Sequence, residues 1–407
     1  MIDFNNSLHV IAAITMIGCS SIGENKEKPN TLAFKNNTNV MRSEVIRIDA
    51  SRLPKDVISG KIGIGKIGNI PVEGFDKNGA GQIDVISIHM TLGANELVNL
   101  DFTNWEPNSN YEKRTQAEIS TAIGGNWEGG EYLEATGFEN VDYLKVPSAH
   151  TDHSWFIRYE GPGWENEMIG YRFYLDGRNA VDIFGKKVDT LVLQSIGQDG
   201  FNSYHEESAW GMDILKAGKS LGIGSIGRVN SKNDVEHFNK TDSVTCEIKL
   251  DGYLSSNIET NYYGWETSAG KSDLKSVLTI NTGDRATIHN VSFNEEVDNF
   301  CTGIVKHPNA EFFQAYSGKW GYIATFGLQT LFDDNLGMAI IYSLDQISKV
   351  DTTDAYNHLI VFKPTRDLEY QFLGAWEKEP SGIKTKGEFE EYLNRKLVFL
   401  NSPIEIK

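Results

Sequence analysis

Tyr204 and His205 are adjacent in the chain, a phenol and an imidazole whose ordinary pKa values lie on either side of neutrality. That combination suits proton abstraction coupled to protonation of a leaving group. Upstream, Arg172, Tyr174 and Arg178 follow one another closely, and on a strand Arg172 and Tyr174 project from the same face. A guanidinium grips a carboxylate through two parallel N–H donors, as any protein acting on a sugar acid must arrange. Trp164, in the turn EGPGWEN, and Trp210 offer indole faces for a sugar ring, and Lys216 adds a cation nearby. A structural reading competes with each: Arg172 pairs with Asp176 or Asp182, Trp164 lies in the core under its loop, and His205 is a packed core histidine.

Weaker constellations surround these. In His150-Thr-Asp152-His153 two imidazoles meet one ion only in a loop, because residues three apart on a strand face opposite ways. Otherwise His153 serves singly as a base or sits in a surface turn. His307, after Lys306 at the end of the strand-like TGIVK, is a reserve of the same kind. Glu160, Glu165 and Glu167 include the carboxylate pair a glycosidase needs, although alternation along a strand separates sequence neighbours. Asp76 to Asp84 reads as half a calcium loop, but Ala80 and Ser87 stand where ligands belong, so an Asn-Gly hairpin turn is the better description. The glycines of KSLGIG (219–224) lack the order of a phosphate loop and read as tight turns.

The elements that must position these residues are short apolar or alternating runs separated by Gly, Asn and Asp. Examples are VEGFD, WFIRYE, MIGYRFYL, TCEIKLDG, LKSVLTI, RATIHNVSF, MAIIYSL and HLIVFK. They predict an all-β fold, a large antiparallel sandwich with a few short helices. The exception is 386–400, where Phe389, Leu393 and Leu397 recur at helical spacing. With 407 residues, 40% of them hydrophobic and 11% aromatic, the chain has ample material for a core. Its 56 acidic against 38 basic residues, net −18, and the absence of any basic run exclude a nucleic-acid surface.

At the N-terminus an apolar stretch, residues 8–18, runs into Cys19 and then a polar segment. It is too short to span a bilayer and reads as a lipoprotein signal whose cysteine carries the lipid. The expected organisation is a signal peptide over 1–18, a tether over 19–40 and one catalytic sandwich over 41–407. The product would be extracytoplasmic and tied to the membrane by its lipid alone. Cys246 and Cys301 then remain, as buried thiols or as one disulfide.

The blocks EGPGWENEMIGYRFYLDGRNAVDIFGKK (160–187), YHEESAWGMDILKAGKSLGIG (204–224) and TGIVKHP (302–308) resemble an uncharacterised-domain family of lipoproteins and periplasmic proteins from polysaccharide-utilisation loci. That family includes an oligosaccharide dehydratase of ulvan degradation. The resemblance implies removal of water from a non-reducing-end uronic acid to leave a 4,5-unsaturated uronate. A polysaccharide lyase, a glycosidase and a non-catalytic sugar-binding lipoprotein are the alternatives. Elimination needs a cation on the sugar carboxylate, a base for the C5 proton and an acid for the 4-hydroxyl. Arg172 or Arg178 takes the first role, Tyr204 and His205 the others, with His153 and His307 in reserve. Trp164, Tyr174, Trp210 and Lys216 bind the acidic oligosaccharide, and no cofactor is expected.

Overall fold

The computed structural model describes residues 28–77, 79–200 and 203–407, so Cys19 and the expected signal peptide lie outside the described residues. The architecture is all-β and antiparallel. Its largest sheet has nine strands, in the spatial order 143–145, 243–251, 255–267, 270–281, 287–297, 365–376, 335–343, 320–328 and 310–317. Two five-stranded sheets pack on one of its faces. One contains Thr115–Glu118, Gly163–Asn166, Gly170–Phe173, Val181–Lys186 and Gly211–Asp213; the other is built around Ile223–Val229, Phe300–Val305 and Asn357–Phe362.

Alternation along the strands explains this layering. In Asn335–Ser343 the residues Leu336, Met338, Ile340 and Tyr342 enter the main core, while Ala339 and Ile341 point to the opposite face. In Thr365–Trp376, Leu368, Tyr370, Phe372 and Trp376 take the core side, and Leu373 and Ala375 the other. Both strands are therefore apolar on two faces, as buried central strands must be. The far face is covered by the helix Lys386–Asn401, which sets Phe389, Leu393 and Leu397 on Ala324, Ile341 and Leu373. Thr385 and Glu388 close its N-terminus with a reciprocal capping box.

Residues 31–107 fold around a cluster of their own, centred on Phe34, Val72, Ile86, Ile88, Leu92 and Phe102. Thr31–Lys35, inside the stretch expected to be a tether, is a strand between Leu97–Asp101 and the C-terminal Glu405–Ile406. Its TLAFK alternation buries Leu32 and Phe34, a period-two signal that the polar flanks on both sides hide. In the Asp76–Asp84 connection the Asp76 carboxylate accepts the Ala80 and Gly81 amides, and Asp84 accepts that of Lys77. These oxygens serve the turn, and Asn78 lies outside the described residues. Cys246 and Cys301 are separate buried thiols. WFIRYE, read as a strand, is instead a loop that closes in a short 3-10 turn at Arg158–Glu160.

Candidate functional site

Strand register places Asp182 directly opposite Arg172, and Asp213 directly opposite Phe184 one strand further on. Because side chains alternate, Arg172, Tyr174, Asp182, Phe184 and Asp213 all project from one face of their sheet. The Arg172 guanidinium, 2% exposed, donates to Asp213 Oδ2 at 2.5 Å, Asp182 Oδ2 at 3.2 Å, the Tyr204 hydroxyl at 3.0 Å and the Tyr174 hydroxyl at 3.3 Å. Its carbon also lies over the rings of Tyr174, Phe184 and Tyr204, at 5.0, 5.5 and 5.1 Å. Burial disfavours its charge, yet Tyr174, Asp213, Tyr204 and Asp182 together hold its pKa well above the usual arginine value. Asp182 shows the cost of this arrangement. Burial first, and the neighbouring Asp213 second, push its carboxyl up to about 7.

Tyr204 and His205 arrive on the 3-10 turn Ser203–His205. Their rings lie 4.6 Å apart, and the two residues diverge in exposure: Tyr204 is 2% exposed, whereas the His205 side chain is 42% exposed. His205 Nε2 stands 3.4 Å from Asp213 Oδ2. A carboxylate there favours the proton on Nε2 and puts the basic lone pair on Nδ1. Burial raises the Tyr204 hydroxyl above the ordinary phenol range, so it is a neutral phenol held by Arg172.

A second rim comes from the loop 150–160. His153, Trp155, Tyr159 and Glu160 have φ of 56°, 64°, 41° and 69°, four left-handed non-glycine residues within eight positions. Such strain persists where surrounding contacts over-determine it, and it concentrates at functional sites. Here the contacts are visible. Arg158 donates to Glu118, Ser120 and the carbonyls of Leu193 and Ile196, and Tyr159 Oη donates to Glu118 at 2.6 Å. Glu160 Oε1 accepts from the His153 amide and from Arg178, both at 3.0 Å, and its other oxygen lies 3.8 Å from Arg172 Nη1. Arg178 grips Asp176 with two donors, reaches Asp152 at 2.9 Å and stacks over Tyr174 at 4.0 Å. Through Glu160 and Arg172 the His153–Arg178 rim is thus wired to Tyr204 and His205. Trp155 and Trp210, both half-buried, pack on the small cluster that contains Tyr204.

Several expectations need correction. Trp164 is not a sugar platform: it is 1% exposed, its Nε1 donates to Thr287 at 2.8 Å, and it stacks on Tyr171 in the core. Arg172 and Tyr174 share a face as read, but both are sealed beneath the surface, so neither touches a substrate directly. Glu160 and Glu165 do not form a carboxylate pair. Glu165 is fully buried against Lys186 and the Val192 and Leu193 amides. His150 and His153 do not converge either: His150 is buried against Ser154, whereas the 62% exposed His153 side chain has Nδ1 2.6 Å from Asp152. Asp152, His153 and Glu160 do bring one donor atom each within 4.8 Å of one another. A divalent cation fits that set only by displacing Arg178, which already binds both carboxylates. Lys216 and His307 lie together in a separate pocket that includes neither Tyr204 nor His205.

Asp213 and Trp155 are the functional candidates that sequence reasoning left unassigned. Asp213 was legible only as one carboxylate among many, since its partner His205 is set by a turn rather than by strand spacing.

A domain family described as "Domain of unknown function (DUF4861)" matches residues 34–406. No curated protein matches the sequence. Among solved structures, a glycosyl hydrolase family 38 protein from Enterococcus faecalis is 8% identical over 93% of this chain and 47% of its own, with a TM-score of 0.42. An alpha-mannosidase from Enterococcus faecalis V583 is 8% identical over 93% and 45%, with a TM-score of 0.37. A 4-alpha-glucanotransferase from Thermococcus litoralis is 9% identical over 57% and 39%, with a TM-score of 0.24. The chain spans about half the length of the first two.

Proposed function

From the premise that the chain belongs to the DUF4861 family, whose description names no function, we propose that it is a carbohydrate dehydratase. Its substrate is an oligosaccharide of the ulvan type that ends in a uronic acid, and its product is the 4,5-unsaturated uronate. The observation that carries this reading is His205: a half-exposed imidazole backed by buried Asp213 and seated on Tyr204, at the edge of a network rich in guanidinium groups.

In this mechanism His205 Nδ1 takes the C5 proton as the C5–H pair moves into the C4–C5 double bond. The C4–O bond breaks, and the resulting imidazolium returns the proton to the departing hydroxyl, which leaves as water. Asp213 steadies the imidazolium charge, as a carboxylate behind a histidine does. Arg172 and Tyr204 act as positioning residues: the guanidinium fixes Asp213 from below, and the phenol supports the imidazole face. The uronate carboxylate goes to Arg178, the 29% exposed guanidinium of the network, where it replaces the exposed Asp152 on Nη1. Trp155 and Trp210 flank the sugar.

The decisive measurement incubates the protein with a uronic-acid-terminated oligosaccharide and follows mass and ultraviolet absorbance. Loss of one water without shortening, together with new absorbance, is the expected result. Shortened chains with the same absorbance would identify a lyase, release of a saturated sugar a glycosidase, and binding without product a sugar-binding protein.

A further inference from the structure

A pocket of about 470 Å³ opens between the turn after Asp213, the end of Phe300–Val305 and the loops at 329–333 and 355–356. Its lining includes Lys216, Lys219, Lys306, His307 and Tyr356, against one carboxylate, Asp333. Three ammonium groups around one cavity are unusual for a chain of net charge −18. Among the described residues, Lys216 and Lys219 are exposed and form no salt bridge, so no carboxylate of the protein neutralises them in the pocket. Lys306 is held in place by the Thr352 and Asp354 carbonyls, and Lys219 Nζ sits 6.0 Å above the half-exposed ring of Tyr356.

The frame is rigid. Ser220 closes a turn onto the Ala217 carbonyl, Leu221 N–H donates to Asn357, and Val305 N–H donates to Gly222. Ala217 on the pocket wall packs against Tyr174, whose hydroxyl belongs to the Arg172 network. The pocket and the His205 site are therefore joined by one short segment, Asp213 to Ser220.

We propose that this pocket is an anion subsite that takes an oxyanion substituent, a sulfate ester or a carboxylate, carried on a sugar ring whose face lies on Tyr356. Unpaired lysines supply point charges for an oxyanion, and an aromatic face suits the apolar side of a pyranose. The carbohydrate half of this assignment rests on the proposed function; the anion half stands on the lysines alone.

Calorimetric titration of the intact protein with a sulfated disaccharide, a uronate-ended disaccharide, cellobiose and inorganic sulfate tests both halves. Charged sugars should bind at least tenfold more tightly than cellobiose, with affinity falling as salt rises; the Lys216→Gln/Lys219→Gln double variant should lose that preference for the sulfated disaccharide and keep, for the uronate-ended one, only the binding that Arg178 provides. His205→Gln, which removes the proposed chemistry, should leave the preference intact. The charged sugar whose binding the double variant weakens identifies the substituent. Sulfate binding that the double variant loses, with no gain from a sugar, would overturn the carbohydrate half. Equal binding of cellobiose, or a double variant that melts and binds charged sugars like the native protein, would overturn the whole proposal.

Discussion

Replacing Arg172 by Ala would leave Asp182 and Asp213 facing each other in a buried layer with no counter-charge. Removing one partner of a buried ion pair typically costs about 3–5 kcal/mol, so chemical denaturation should show a loss of that order. Arg172→Lys should recover only part of it, because an ammonium cannot reproduce the fork. The same cluster predicts a pH dependence. Asp182 titrates near 7 when folded and near the ordinary aspartate value, about 4, when unfolded. Between those limits the folded state binds more protons than the unfolded state, so this group's contribution to stability falls as pH rises from about 4 through about 7. Asp182→Asn should flatten that slope in melting curves taken across the interval. At His205 the expectation is different in kind: His205→Gln should lower kcat by about 10²–10⁴-fold. Its melting temperature should move little, since the side chain is half-exposed.

At the scale of elements, the positioning of the site depends on the seam between two sheets. Trp164, Tyr171 and Phe372 fill that seam, with Tyr171 Oη bridging the Arg285 carbonyl and the Gly374 amide. Trp164→Ala should destabilise by about 3–5 kcal/mol, as deletion of a buried aromatic does, without the specific loss of sugar affinity that a stacking platform would show. Gly224 marks how tight the packing is. Its φ is +71°, and an added Cβ would fall within 2.2 Å of Phe372, so any larger residue there must push the sheets apart. The helix 386–401 was readable because its apolar stripe recurs every three to four residues. WFIRYE was misread because its apolar alternation imitates a strand, while Tyr159 and Glu160 turn into the left-handed region to reach Glu118 and Arg178.

For the whole molecule, the acidic balance leaves the lysine pocket as a local exception in charge, and this contrast supports treating it as a binding surface. The expected lipid anchor is testable independently of the fold: Cys19→Ala should abolish incorporation of labelled palmitate and move the protein from the membrane fraction to the soluble one. Local periodicity alone determined that this chain is an antiparallel β protein with one C-terminal helix, because alternation and helical spacing are imposed by backbone geometry within each segment. Residue type and spacing likewise singled out Trp164, Arg172, Tyr174, Tyr204 and His205 as candidates for chemistry. Only the tertiary structure decided which of those residues meet. Arg172 was drawn inward by two carboxylates from neighbouring strands, Trp164 was claimed by the core, and His205 was left at the surface. Each outcome depends on register and burial between segments far apart in sequence, where the desolvation of a charge or an indole is settled by partners that no local pattern specifies.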